Sequence, residues 1–163
     1  MGTMTEEYRE TLCPDYEYVL FDIDGTLADL SHRTPLVRTK PKNWPEFFRK
    51  IPEDKMIWPV FAVLQAMDYM GYRVVLLSGR GEESRKATEE WLKKFRVPHT
   101  ELLMRPEKDY RPDEIVKKEL FEKRFPLEER GFIIGIFDDR PKVIRMWQSI
   151  GLKVFNVGTG EEF

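Results

Sequence analysis

Short apolar runs alternate with amphipathic stretches along almost the whole chain. YEYVLF at 16–21 is a nearly continuous apolar run closed by Asp22, and it predicts a buried strand. Residues 59–70 follow with Val60, Val63, Leu64, Met67 and Met70 at helical spacing and Gly71 as the stop. A second strand is expected at 73–77. After it comes a charged helix at 83–95 that turns Trp91, Leu92 and Phe95 inward. The rhythm continues with a strand at 101–104, a helix at 113–125 ended by Pro126 and a strand at 131–137. A helix at 142–150 stopped by Gly151 and a strand at 153–156 complete it. Residues 30–58 break the pattern. They are rich in Pro, Lys and aromatics, and read as a small insertion of loops with one short helix near 44–50.

Strands alternating with helices imply an α/β fold: a three-layer domain with a central parallel sheet and right-handed crossovers. We expect one domain over 1–163, with 1–15 as an N-terminal extension and 30–58 as a minimal cap insertion. Such sheets bind ligands beyond the carboxyl ends of their strands. Asp22 and Asp24 follow the first strand, Ser78, Gly79 and Arg80 the second, and Asp138 and Asp139 the fourth; Lys117 lies on the helix before the fourth.

Composition narrows the class. Of 163 residues, 41% are hydrophobic and 34% charged, which fits a soluble globular chain. No apolar run is long enough to span a bilayer, and the polar, acidic start does not read as a signal peptide. A net charge of −2 excludes a broad basic surface that would hold nucleic acid by counterion release alone, but not a few placed arginines. Cys13 is the sole cysteine, so no internal disulfide or cysteine zinc site is expected. A cytoplasmic setting follows, or a host cytoplasm if the gene is a phage's, with Cys13 an incidental thiol.

The acids suggest the chemistry. Asp22 and Asp24, two residues apart at a strand end, can bring one side chain and one main-chain carbonyl to the same point. Asp138 and Asp139 add two more carboxylates. Such a cluster raises its own pKa values unless a cation sits within it, and oxygen-only donors suit Mg²⁺. Facing it, the Ser78 hydroxyl, the Gly79 N–H, the Arg80 fork and the Lys117 ammonium are groups that neutralise a phosphoryl group in transfer. Asp22 then reads as a nucleophile forming an aspartyl-phosphate, and Asp24 as the acid that protonates the leaving oxygen and later activates water. Asp113, four residues before Lys117, shares its helix face. Arg33 and Arg140 are candidate phosphate clamps beside Arg80; the bland readings are a loop residue and a partner for Asp138 or Asp139. His32 and His99 read as loop residues, and Trp91 and Trp147 as packing. Trp44, Phe47 and Phe48 lie among Lys40, Lys42, Arg49 and Lys50 and could stack a base, although seating the insertion on the core is the favoured reading.

DIDGTL at 22–27, LSGR at 77–80, Lys117 and FDDR at 137–140 resemble, in order, the four signature motifs of haloacid dehalogenase-type phosphatases. The resemblance implies Asp22 as nucleophile, Asp24 as acid/base, and Ser78 and Lys117 as holders of the phosphoryl oxygens. It also implies a magnesium site of Asp22, Asp24, Asp138 and Asp139, without deciding which of the last two binds directly. A narrower resemblance runs through MGYRVVLLSGR at 70–80, RPDEIVKKELF at 111–121, DDRPKVIRMWQSIG at 138–151 and GTGEEF at 158–163. These are similar to the phosphatase domains of polynucleotide kinase/phosphatases of the T-even phage type. That implies a polynucleotide 3′-phosphatase, a nucleic acid 3′-phosphate end as substrate, and site roles for Arg33, Arg80, Asp113 and Arg140. No G-x-x-x-x-G-K-[ST] segment is present, so 5′-kinase activity is not expected and a separate kinase or ligase is a candidate partner. Two rivals remain: a phosphatase of small nucleotide or sugar phosphates, and a non-catalytic module binding nucleic acid or protein.

Overall fold

A computed structural model of the chain describes residues 16–160. Cys13, the expected extension at 1–15 and the last three residues of GTGEEF lie outside the described residues. The centre is a five-stranded parallel sheet of β1 (Tyr18–Phe21), β4 (Arg73–Gly81), β5 (Glu101–Arg105), β6 (Ile133–Asp138) and β7 (Val154–Asn156). Its order is β5-β4-β1-β6-β7, which places β1 in the middle with later strands added on either side.

Both faces of the sheet are covered, and β1 shows how. Val19 and Phe21 point to one side, where Phe61 and Leu64 of α3 (Trp58–Tyr69) and Trp91 and Leu92 of α4 (Arg85–Lys94) close over them. Tyr18 and Leu20 point to the other, against Phe121 of α5 (Asp113–Arg124) and Val143 and Trp147 of α6 (Pro141–Ser149). A period of two buried on both sides gives the near-continuous apolar strand seen in the sequence. The expected three-layer α/β arrangement is therefore present. No helix among the described residues is long and apolar enough to cross a membrane.

Three local expectations are corrected. Val63 does not face the core: it is exposed, and Phe61 is buried in its place. The helix from 58 to 69 is apolar nearly all round, so periodicity alone did not fix which stripe meets the sheet. The second strand does not stop at Leu77 but runs to Gly81, with a register shift against β5 between Ser78 and Gly81. Such an irregularity re-aims side chains at a strand end. Residues 127–132 form 3₁₀ turns, so the fourth strand starts at Ile133 and not at 131.

The insertion holds α1 (Pro35–Arg38), α2 (Trp44–Arg49), a 3₁₀ turn at 51–53, and β3 (Lys55–Met56), which pairs antiparallel with β2 (Ala28–Asp29). Asn43 caps α2 by accepting the Glu46 N–H, and Pro45 occupies its first turn. Leu30, Val37 and Phe47 form a small core of their own beneath these pieces.

Candidate active site

The carboxyl ends of β1, β4 and β6 bring the expected residues together in two adjoining groups. The first surrounds Lys117. Its Nζ is 2.8 Å from Asp22 Oδ1, 3.1 Å from Asp138 Oδ2 and 3.5 Å from Asp113 Oδ2, and all three carboxylates are largely or wholly buried. Burial alone would push the Lys117 ammonium down; Asp113, Asp138 and Asp22 outweigh it and hold the pKa well above the ordinary lysine value. The ammonium is a fixed positive charge.

The second group surrounds Asp24. Its Oδ1 accepts from Arg80 Nη2 at 2.6 Å, Arg80 Nε at 3.0 Å and Arg33 Nη2 at 2.8 Å. Burial raises the Asp24 pKa, but Arg80 and Arg33 more than offset it, so the carboxyl sits well below the usual carboxylate range. Arg33 is wholly buried and its guanidinium lies 4.2 Å from the Phe47 ring centroid. Arg33, a candidate phosphate clamp or loop residue from the sequence, is instead spent on Asp24 and Asp54.

One residue completing this group was missed from the sequence. Asp54, buried at the end of the insertion, accepts from Arg33 Nε at 2.7 Å, Arg33 Nη2 at 2.8 Å and Arg80 Nη2 at 2.8 Å. His32, read as a lone loop residue, also bonds Asp54, at 2.9 Å. Nothing local marks Asp54, because its partners stand 21 and 26 residues away. Arg105 was also missed, although the strand-end rule points to it. It donates to the Gly79 carbonyl at 2.8 Å and to Asp113 Oδ1 at 3.0 Å.

The remaining residues divide. Asp113 is lowered despite burial by Lys117, Arg140 and Arg105, and it ties those cations together. Arg140 donates its main-chain N–H to Asp138 at 3.2 Å and reaches Asp113 Oδ2 at 3.4 Å. Ser78 is fully buried, and its Oγ accepts the Arg80 N–H at 3.2 Å. A Cβ on Gly79 would come within 2.2 Å of Asp113 Oδ1, so a glycine there lets that carboxylate approach. Gly25, at φ +84°, serves Asp139 the same way: a Cβ would lie 2.0 Å from Asp139 Oδ2. The two tryptophans read as packing do more. Trp147 Nε1 donates to Asp138 Oδ2 at 3.1 Å, and Trp91 Nε1 to the Asp54 carbonyl at 2.8 Å.

Among the described residues, one cluster of acids fits a cation. Carboxylate oxygens of Asp22, Asp138 and Asp139 lie within 4.8 Å of one another, and the buried Asp139 Oδ1 has no hydrogen-bond partner. Burial first, then Asp138, pushes Asp139 up to about 6; burial and the neighbouring Asp138 and Asp139 push Asp22 up despite Lys117. An orphaned acceptor among hard oxygen donors is what a divalent ion such as Mg²⁺ takes. The Asp24 carboxylate stands outside this set, bound to its arginines. Asp22 and Asp139 bind protons more tightly folded than unfolded. Their stabilising contribution is thus present below about pH 4, the ordinary carboxylate range, and for Asp139 is lost as pH rises through about 6. A cation replaces those protons. Saturating MgCl₂ should therefore raise Tm by about 5–10 °C near pH 7.5 and much less near pH 5. Equal shifts at both would place the ion elsewhere.

Beside these groups opens a cavity of about 850 Å³, reached by Asp22, Asp24, Arg80, Lys117 and Arg140 and walled on the insertion side by Trp44, Phe47 and Phe48.

Over residues 16–162 the chain matches the family described as the polynucleotide kinase PNKP phosphatase domain. It is 30% identical over 142 residues to a protein of Autographa californica nuclear polyhedrosis virus described as a bifunctional polynucleotide kinase/RNA ligase. The match covers 85% of this chain and 19% of that protein. Among solved structures it superposes on a chain of the Pnkp1/Rnl/Hen1 RNA repair complex with TM-score 0.77 and 34% identity, covering 92% of this chain and 45% of the other. A class C acid phosphatase from Bacillus anthracis shares the fold, at TM-score 0.64 and 17% identity over 91% of this chain and 68% of that one. The chain thus spans less than half the length of the viral protein and of the repair-complex chain.

Proposed function

Because the chain belongs to the polynucleotide kinase phosphatase-domain family, within the haloacid dehalogenase superfamily, we propose that it is a magnesium-dependent polynucleotide 3′-phosphatase that acts in nucleic-acid end healing. The carrying observation is the pairing of a buried Asp22–Lys117 contact with an arginine-braced Asp24 at the mouth of one cavity.

Asp22 Oδ1 is held by Lys117, while Oδ2 has only a long 3.4 Å contact from Thr26 Oγ1. Oδ2 is the freer atom to attack phosphorus. The bond from phosphorus to the 3′-oxygen breaks as the aspartyl-phosphate forms, and Asp24 gives that oxygen a proton. In the second step Asp24 takes a proton from water, the water oxygen bonds to phosphorus, and Asp22 returns as phosphate leaves. The arginines hold Asp24 ionised, which is the form that accepts a proton in the second step. For the first, the proton enters with the substrate, since a phosphate monoester has a second pKa of about 6. Lys117 and Arg140 line the cavity where the phosphoryl oxygens would lie, Arg80 acts through Asp24 with its nitrogens held by Asp24, Asp54 and Thr88, and Ser78 keeps a hydroxyl hydrogen to donate. Mg²⁺ held by Asp22, Asp138 and Asp139 would supply positive charge against the developing phosphoryl charge.

We take residues 1–163 as one phosphatase unit with a minimal cap, working beside kinase and ligase activities supplied by other chains or domains. The relatives named above support that setting, and the lone cysteine supports a reducing, cytoplasmic one. The test is phosphate release with Mg²⁺ from a 3′-phosphorylated oligonucleotide, its 5′-phosphorylated isomer and a 3′-mononucleotide. Preference for the 3′-oligonucleotide is expected. A faster mononucleotide reaction would move the enzyme to small phosphates.

A further inference from the structure

The mouth of the cavity carries groups that the phosphoryl chemistry leaves unused. Trp44 is 44% exposed and Tyr110 is 90% exposed, and both line the same cavity as Asp22 and Lys117. The Trp44 ring is held in place, and the loop that carries Tyr110 is braced. Trp44 sits in the first turn of the capped helix α2, edge-on to Phe47 at 5.6 Å and stacked with Phe48 at 5.9 Å. Tyr110 lies on the loop between β5 and α5. There Arg105 Nη1 donates to the carbonyls on either side, Asp109 at 3.0 Å and Arg111 at 2.8 Å. A packed Trp44 ring and a Tyr110 ring exposed on a braced loop are apolar faces open to a partner.

Cations accompany them. Arg38, Lys42 and Lys108 line the cavity, and none has a carboxylate partner among the described residues. Lys42 Nζ lies 5.5 Å from the Trp44 ring centroid. Lys108 adopts φ +57°, a backbone region that costs a non-glycine residue and recurs at ligand sites. The neighbouring Arg111, by contrast, is engaged by Asp109 and Glu119. In a chain of net charge −2, three cations without carboxylate partners stand beside two exposed rings at one mouth, which Glu83 and Asp109 also line.

We propose that this mouth is a stacking and phosphate subsite for unpaired nucleotides upstream of the scissile 3′-phosphate. Trp44 and Tyr110 take base faces, and Arg38, Lys42 and Lys108 take internucleotide phosphates. The inference rests on the reading of the chain as a 3′-phosphatase and adds where the polymer lies and that its end must be single-stranded. Repeating π faces and phosphates are the chemistry of a single strand, whereas a duplex end keeps its base faces stacked inside. A cavity of about 850 Å³ is sized for a single small ligand, so the terminal nucleotide fills it and the next ones reach the rim.

The experiment compares kcat/KM on 3′-phosphorylated oligonucleotides of one, two, three and five nucleotides, on a flush duplex carrying the same 3′-phosphate, and on p-nitrophenyl phosphate. Wild-type protein should gain about tenfold or more from one to three nucleotides and disfavour the duplex. Trp44→Ala and Tyr110→Ala should each cut the ratio of trinucleotide to p-nitrophenyl phosphate activity by about five- to hundredfold. Lys42→Ala with Lys108→Ala should reduce the salt slope of trinucleotide KM by about two. Tyr110 is so exposed that its removal leaves the fold unaffected, which keeps the test decisive if Trp44→Ala is unstable. Dephosphorylation of 3′-ends with no length dependence, unchanged ratios in the variants, or equal rates on duplex and single strand would overturn the subsite while the 3′-phosphatase reading stood. Release from p-nitrophenyl phosphate but from no 3′-oligonucleotide would overturn both.

Discussion

Asp22→Asn lowers turnover by at least about a thousandfold and leaves the protein folded. The substitution keeps the shape of a buried side chain and removes its ability to form an acyl-phosphate. It also takes one negative charge from a buried cluster in which burial first, and then the neighbouring aspartates, push Asp22 and Asp139 up. Lys117 keeps Asp138 at 3.1 Å and Asp113 at 3.5 Å, so its ammonium is not stranded. Thermal unfolding should therefore occur at an equal or higher temperature in the variant. Phosphate release within tenfold of wild type would remove Asp22 from the nucleophile's role; loss of the cooperative unfolding transition would show that the substitution reports on the fold instead.

Asp54→Ala gives the second large effect, on stability and chemistry together. Arg33 and Arg80 have no side-chain exposure and share two carboxylates, Asp54 and Asp24. Removing one leaves two buried guanidinium groups facing a single carboxylate. Breaking a buried pair from one side costs about 3–5 kcal/mol, which for a chain of this size lowers Tm by about 6–20 °C. The freed arginines draw further on Asp24, so the general acid loses its position. A misplacement of about 1 Å costs on the order of a hundredfold. That loss should appear on an alkyl 3′-phosphate end, whose leaving oxygen needs a proton. It should be only a few-fold on p-nitrophenyl phosphate, whose phenolate leaves without one. Asp54→Asn, which keeps the shape and part of the acceptor set, should fall between. Equal losses on both substrates would mean that Asp54 supports the fold and not the proton transfer.

The two predictions differ in how far the sequence anticipated them. Asp22, Asp24, Asp138 and Asp139 were legible because each follows an apolar strand, and a parallel sheet gathers strand ends at one edge. Lys117 and Asp113 were legible through the motif resemblance; helical spacing puts them on one face but fits a plain helix pair equally well. Asp54 was not. It sits among prolines and lysines with no period, and only the closed fold carries it to Arg33 and Arg80. The same closure explains why Arg33 read as a phosphate clamp or a loop residue: its surroundings include Phe47 and Asp54, both supplied by the insertion. The insertion thus has two sides. Phe48 and Ile51 seat it on the main core and Phe47 fills the insertion's own small core, while Trp44 remains half open over the cavity. Composition could not separate those roles, because aromatics at 44, 47 and 48 lie within one turn and a half of a helix whose orientation is set by tertiary contacts.

The most direct test is a rapid-quench single turnover with an oligonucleotide carrying a radiolabelled 3′-phosphate. The account predicts transient label on the protein that survives acid, is released by hydroxylamine as an acyl-phosphate should be, and is absent from Asp22→Asn. Stoichiometric phosphate release with no protein-bound label at any quench time, or the same label on Asp22→Asn, would contradict it.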